Sequence, residues 1–336
     1  MINAALIGAG DWGLNLARNI HALEGFSLKW ICDKDAERIA RIARNYPESR
    51  TSENMTEILH NDQVAAVVIA TPASLHYEHV KAALEAGKHV LVEKPFALTA
   101  QHAQDLLELA GKNNRVLMVG HTFLYNPAVR KVKEIIRSGE LGKVFCVYSN
   151  RLSLGRLRDD VNVMWNLAPH DVSILLYLFD QMPEHVSAHG FHYLQNKLED
   201  AVYLFLEFPD RLFAFIHNTW LNPTKVRSMT VIGSEKSLIY DDTSADEKVV
   251  VYDCGFDKEP APADSFEAFR MIVRRGEKTV HPIDSTEPLR AEMQHFHECI
   301  IEGKPPLTNA ANGIAVTRIL ETAQHSLLQS GTRLPI

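Results

Sequence analysis

Apolar residues follow two different rhythms along this chain, and the change of rhythm divides it. Residues 4–7, 28–32, 64–70 and 90–92 are short apolar runs, several of them bounded by glycine, proline or charged residues. Such runs read as strands buried on both faces. Between them apolar positions recur at helical spacing: Leu16, Ala17, Ile20 and Leu23, then Ala36, Ile39 and Ala43. Residues 73–87 and 99–112 read as helices too, the latter with Leu106, Leu107 and Ala110 facing in. A strand at residues 116–119 runs into Gly120-His121. This alternation predicts an α/β domain with a doubly wound parallel sheet over residues 1–121.

The pattern then changes. Asn126-Pro127 supplies an N-cap and a first-turn proline, and Gly139 stops that helix. From Lys143 the chain is strand-rich, with runs at 144–148, 185–190, 201–207, 212–219, 228–232, 238–240 and 249–252. Short turns such as Pro209-Asp210 link several of them, so the sheet is expected to be large, open and mostly antiparallel. One helix interrupts it at 168–179, and two more close the chain at 289–302 and 312–329. Residues 122–336 thus read as an α+β domain. Strand 201–207 is apolar on both faces, Val202, Leu204 and Leu206 against Tyr203 and Phe205. A sheet apolar on both sides must be covered on both. One face is therefore expected to meet a second subunit, in a homodimer or homotetramer.

Composition narrows the chemistry. The chain has 336 residues, 46% hydrophobic and 23% charged, enough for two domains. Its net charge is −7, and no basic run carries interleaved aromatics, so no nucleic acid partner is expected. No segment reads as a signal peptide or a membrane span. The four cysteines are scattered without a CxxC, which suits reduced thiols in a cytoplasmic protein. His295 and His297 diverge on a helix, and no HExxH or zinc-type cysteine cluster occurs, so no metal is expected.

Two stretches carry the candidate chemistry. Gly8, Gly10 and Gly13 stand between the first strand and the first helix, the context that a dinucleotide-binding loop requires. Gly8 permits the turn, Gly10 admits a diphosphate to the backbone, and Gly13 lets the helix pack closely. Asp33, at the end of the second strand, is placed for the adenosine ribose hydroxyls and favours NAD over NADP. Lys34 and Arg38 weaken that preference, and Asp33 also suits the role of helix N-cap. The second stretch is His89-Val-Leu-Val-Glu93-Lys94-Pro95. Pro95 ends the strand and admits a cis peptide bond. Lys94 therefore stands at a strand tip, on the rim where open parallel sheets bind ligands.

These residues, in this order, resemble the Gfo/Idh/MocA oxidoreductases, relatives of glucose-fructose oxidoreductase and inositol 2-dehydrogenase. The matching pieces are the loop at 8–13, Ile69-Ala-Thr71-Pro72 with His76, Glu93-Lys94-Pro95, Gly139-Glu-Leu-Gly142-Lys-Val, and the tail Glu287-Pro-Leu-Arg with Phe296 and Gly303-Lys-Pro-Pro-Leu307. The resemblance implies a Rossmann domain and an open-sheet substrate domain with the nicotinamide laid between them. It implies a cofactor site of Gly8, Gly10, Asp11, Trp12, Gly13, Asp33, Thr71, Pro72, His76, Glu93, Lys94 and Trp165. It also implies that Lys94 and His170 are catalytic. The family's aspartate, four residues before the histidine, is Asn166 here, and the intervening glycine is Ala168. Asp171 adjoins the histidine but points elsewhere on the helix.

The function so implied is reversible hydride transfer between NAD, with NADP possible, and a carbinol or keto carbon of a sugar, cyclitol or nucleotide sugar. An NAD-dependent glycoside hydrolase and a non-catalytic sugar or NAD sensor are the rival readings, and the presence of Lys94 argues against the sensor. The polar loop at 153–160, with Arg151, Arg156 and Arg158, suits either a substrate phosphate or carboxylate or a solvated loop. Phe123, Tyr125 and Trp165 suit either sugar stacking or the core.

Overall fold

The computed structural model describes residues 1–155, 157–260 and 269–336. Two compact units account for them. The first comprises Met1–Asn126, Asp159–Val161 and Thr286–Glu321, and the second Pro127–Arg158, Asn162–Ser285 and Thr322–Ile336.

The first unit holds a parallel sheet of β1 (Ile2–Ile7), β2 (Phe26–Cys32), β3 (Arg50–Ser52), β4 (Ala66–Ile69), β5 (His89–Glu93) and β6 (Leu117–Gly120). Their order is β3-β2-β1-β4-β5-β6, so the winding reverses between β1 and β4. That reversal is the crevice where ligands settle in such sheets. Helices α1 (Asp11–Ala22), α2 (Ala36–Ala43), α3 (Met55–Leu59), α4 (His76–Glu85) and α5 (Ala100–Lys112) connect the strands. All of β4, and Val90, Leu91 and Val92 of β5, are buried, as unbroken apolar runs require. Strand β3 and helix α3 were not expected from the sequence. Arg50–Ser52 contains no apolar residue, and five residues are too few for a helical period to show.

The second unit begins with α6 (Pro127–Ser138), β7 (Val144–Leu154) and α7 (Val163–Phe179). Then come β8 (His185–Phe191), β9 (Ala201–Glu207), β10 (Phe213–Thr219), β11 (Leu221–Gly233), β12 (Ser237–Asp241), β13 (Val249–Pro260) and β14 (Phe269–His281). The chain closes with α8 (Pro288–Glu302), α9 (Ala310–Leu328) and β15 (Leu334–Pro335). The strands form one sheet in the order β14-β13-β12-β11-β7-β10-β9-β8-β15, antiparallel except for the β7–β10 pair. Val202, Leu204, Leu206, Ala214 and Ile216 are the buried face of β9 and β10, against which α7 packs. Strands β7, β11 and β13 run past their apolar cores into polar residues, where alternation no longer marks a strand. β14 lacks a strand pattern for the same reason, since charged residues interrupt it throughout.

Helix α8 packs into the first unit, not the second. Leu289, Met293 and Phe296 join Ile2, Ala4, Leu16 and Ile20 in one apolar cluster. A single cut at residue 121 therefore does not describe the chain, because the periodicity of α8 shows that it has an apolar face but not which core receives it.

Candidate active site

The glycine loop is built by close approach. Gly8 has φ +104°, and a Cβ there would stand 2.5 Å from the Ala70 carbonyl oxygen. A Cβ on Gly13 would stand 2.2 Å from the Gly8 carbonyl oxygen, so both positions demand glycine. At Gly10 nothing beyond its own chain neighbours lies within 4 Å of the Cβ position among the described residues, which leaves room on that side of the loop. Gly10 is also the N-cap of α1 and offers no side-chain acceptor, so the first-turn N–H groups are left for an anion. Loop and helix end together fit a dinucleotide diphosphate.

Asp33 secures this loop. Its Oδ2 accepts from the Ala9 N–H at 2.7 Å and its Oδ1 from the Asp35 N–H at 3.0 Å. The N-cap of α2 is Asp35, which accepts from Glu37 N and Arg38 N, so the capping alternative for Asp33 falls away. Arg38 Nη1 lies 4.0 Å from Asp33 Oδ2 and Arg38 Nε 3.2 Å from Asp35 Oδ2. Asp11 is exposed, 3.4 Å from Arg41.

Lys94 follows β5 directly, and the Lys94–Pro95 peptide is cis. Within residues 90–97 Lys94 alone is not buried. Glu93 is turned inward. Its Oε1 accepts the Trp12 indole N–H and its Oε2 the Lys94 backbone N–H at 3.3 Å. Burial pushes this carboxyl above the usual range, opposed by the Trp12 bond and the Lys94 charge. The His76 ring is 1% exposed, with Nδ1 2.7 Å from the Pro95 carbonyl oxygen and Nε2 2.9 Å from that of Thr71. It thus ties the loop after β4, which carries Thr71 and Pro72, to the end of β5. Its side chain faces those carbonyls, so its contribution to a cofactor site is through the loops it holds.

Helix α7 carries the second set. Asn162 caps it, accepting from Trp165 N at 3.1 Å. Asn166 and His170, four apart, share one face and are partly accessible, whereas Trp165, Ala168, Pro169 and Asp171 are buried. The Trp165 indole N–H donates to Gln324 Oε1 at 3.2 Å, which makes this residue part of the packing beneath the helix. Tyr125 is likewise core, with its hydroxyl 3.1 Å from Thr308 Oγ1, while Phe123 is half-buried.

The arginines divide. Arg151 is buried and ion-paired to Asp171 at 3.1 Å, so it is a structural residue and not a surface ligand for a substrate anion. Arg156 lies outside the described residues. Arg158 is partly accessible, and its carbonyl accepts from Gln195 Nε2 at 3.0 Å. Sequence reasoning passed over Glu292, which is wholly buried on α8. One signal was present: a glutamate on the apolar stripe Leu289, Met293, Phe296.

Residues 2–121 match the oxidoreductase family with an NAD-binding Rossmann fold, and residues 129–239 match the GFO/IDH/MocA C-terminal domain. The chain belongs to the Gfo/Idh/MocA oxidoreductase family. An uncharacterized oxidoreductase of Streptococcus pneumoniae (serotype 4, strain ATCC BAA-334 / TIGR4) is 27% identical over 64% of this chain and 62% of its own length, short of two-thirds. The scyllo-inositol 2-dehydrogenase (NADP(+)) IolW of Bacillus subtilis (strain 168) is 25% identical over 88% of this chain and 86% of that protein. The crystal structure of GenD2 from gentamicin A biosynthesis, in complex with NAD, superposes with a TM-score of 0.83 at 24% identity, covering 100% of this chain and 96% of that one. A Gfo/Idh/MocA member with this loop has an NAD-binding Rossmann domain, and its class is NAD(P)-dependent oxidoreductase. No helix among the described residues is long and apolar enough to cross a membrane.

Proposed function

We propose that this oxidoreductase is a dehydrogenase or reductase acting on a carbinol or keto carbon of a sugar, cyclitol or nucleotide sugar. The observation that carries this reading is Lys94, the one accessible residue in an otherwise buried strand end beside the glycine loop. The residues at 8–13, with Asp33, would hold the dinucleotide, which when bound supplies or accepts a hydride. Lys94 would place a fixed positive charge against the substrate oxygen and stabilise it as an alkoxide, a term that tends to be large. His170 would accept the hydroxyl proton, for which an imidazole is suited near neutral pH. Asn166, on the same face of α7, would orient substrate through its amide without a second titrating group. The scyllo-inositol relative supports a polyhydroxylated ring as substrate.

A panel of sugars, cyclitols, sugar phosphates and nucleotide sugars, read by nicotinamide absorbance with NAD and with NADP, tests the proposal. Failure of every member to change the absorbance would count against it. Release of free sugar without net cofactor reduction would point to the glycoside hydrolase instead. We also read the protein as cytoplasmic, since all four cysteines stand as free thiols.

A further inference from the structure

Behind Lys94, two buried carboxyl groups close on one turn. Glu93 packs against Gly120, where a Cβ would meet its carboxyl atoms at 3.1 Å. Two residues further, Thr122 donates its hydroxyl to Glu292 Oε2 at 2.7 Å. The two acids are provided for very differently. Glu93 has an indole N–H, a backbone N–H and the adjacent Lys94 charge. Glu292 is 0% exposed, and its Oε1 meets no donor among the described residues.

The groups facing Glu292 from neighbouring elements are Thr122 and Tyr125 after β6, and Glu93 from β5. None of these is a cation. A buried anion with one neutral donor, opposite a second carboxylate, is a costly arrangement. A neutral acid is far cheaper, because its O–H can turn to the Thr122 hydroxyl. Burial and the Glu93 charge both push the Glu292 carboxyl well above the usual carboxylate range.

We propose that Glu292 is a protonated carboxylic acid in the working protein and a positioning residue for Lys94. It braces the turn at 120–122 against α8 without adding a second buried charge to that of Glu93 behind the lysine. The first half of this stands on the geometry alone, and the second rests on the catalytic role proposed for Lys94.

The proton is read directly by infrared spectroscopy of the intact protein with 13C-labelled glutamate. A protonated-carboxyl stretch at pH 7 that disappears in Glu292→Gln is the expected result. Glu292→Ala should lower kcat by on the order of tenfold to a hundredfold, the cost of a small misplacement. Glu292→Gln, isosteric with the protonated acid, should restore it and leave the pH profile in place. Glu93→Gln should keep the infrared band but move the profile. Absence of the band in the wild-type protein overturns the proposal by itself, whatever the variants do. A Glu292→Gln profile displaced as far as that of Glu93→Gln overturns it as well. A band that is present, with turnover untouched by Lys94→Ala, would sink the proposed function and leave the proton on Glu292 established.

Discussion

Arg151 closes on Asp171 with Nη2 3.1 Å from Oδ1, and both side chains are buried. Asp171 also accepts from Ser149 Oγ at 3.0 Å and from Asn218 Nδ2 at 3.2 Å. The residue next to His170 is therefore the anchor of α7 on β7 and β10. Buried ion pairs contribute little net stability over an apolar replacement, but removing one partner strands a charge.

Arg151→Ala should accordingly destabilise the protein by about 3–5 kcal/mol. The paired replacement Arg151→Met with Asp171→Leu should cost much less. Urea denaturation of the three proteins decides this. Equal losses for single and double variants would mean that the pair matters for its own attraction and not for the charge it neutralises.

Stability should fall in mild acid. Burial and Arg115 lower the pKa of His89 to about 4, and its Nδ1 accepts the Val116 N–H at 3.1 Å, a bond that protonation would break. Burial, with the Lys94 charge, lowers that of His121 to about 3. Both folded values lie below the ordinary 6.5, so the unfolded chain binds more protons between them. Their contribution is complete above about pH 6.5 and is lost as pH falls toward 4 and 3, at up to about 1.4 kcal/mol per pH unit for the fully buried His121 and less for His89, which solvent partly screens. His121→Gln should flatten the curve of denaturation midpoint against pH between 7 and 5. An unchanged slope would remove His121 from the account.

Much of this was open to reading in the sequence, for physical reasons. The strands of the parallel sheet are unbroken apolar runs because they are buried on both faces, and glycine is forced at Gly8 and Gly13 because a Cβ there would fall 2.5 and 2.2 Å from a backbone carbonyl oxygen. What escaped were features with no local signature. Arg151 reads with a polar loop until β7 is seen to continue through it to Leu154 and its guanidinium to pair with Asp171 on α7. Motif position shows neither that the Trp165 indole N–H bonds Gln324 nor that the His76 ring nitrogens face the Pro95 and Thr71 carbonyls. The destination of α8, and with it the meaning of Glu292, depends on contacts more than 160 residues apart, such as that with Thr122.

The Asp33 carboxylate predicts a preference for NAD, since it would repel a 2′-phosphate. Arg38 is already occupied with Asp35 and Asp33. Catalytic efficiency should favour NAD by roughly tenfold or more, which is about 1.4 kcal/mol. A clear preference for NADP would reassign Arg38 as a phosphate ligand. Because Asp33 also holds Ala9, its replacement by alanine should weaken both cofactors.

The outward face of the second sheet should mediate self-association. Tyr203 is 49%, Tyr148 42% and Phe215 42% exposed; Phe215 meets Tyr148 and Phe205, Phe205 meets Phe213, and Tyr203 stacks on His217. Exposed apolar patches of this kind mark association surfaces. Light scattering at micromolar concentration should give the mass of a homodimer or homotetramer, and Phe215→Glu should reduce it. A monomeric wild-type protein would refute the assignment.

The last prediction separates the roles of the proposed catalytic residues. Lys94→Ala removes the charge meant for the alkoxide and should lower kcat by about 10²–10³. NAD binding should change little, because the glycine loop and the Asp33–Ala9 bond do not involve the lysine side chain. His170→Ala should cost roughly 10²–10⁴ and abolish a pH-rate limb near the histidine range. Burial and the Lys94 charge hold the His121 pKa well below the histidine range, so that limb is not expected from it. Asn166→Asp puts a carboxylate one helical turn before His170, on the same accessible face. A neighbouring negative charge favours the imidazolium, so the limb should move to higher pH. A limb that stays in place would show that Asn166 and His170 do not act on one another. Turnover that survives both alanine variants would show that the chemistry is performed by other groups.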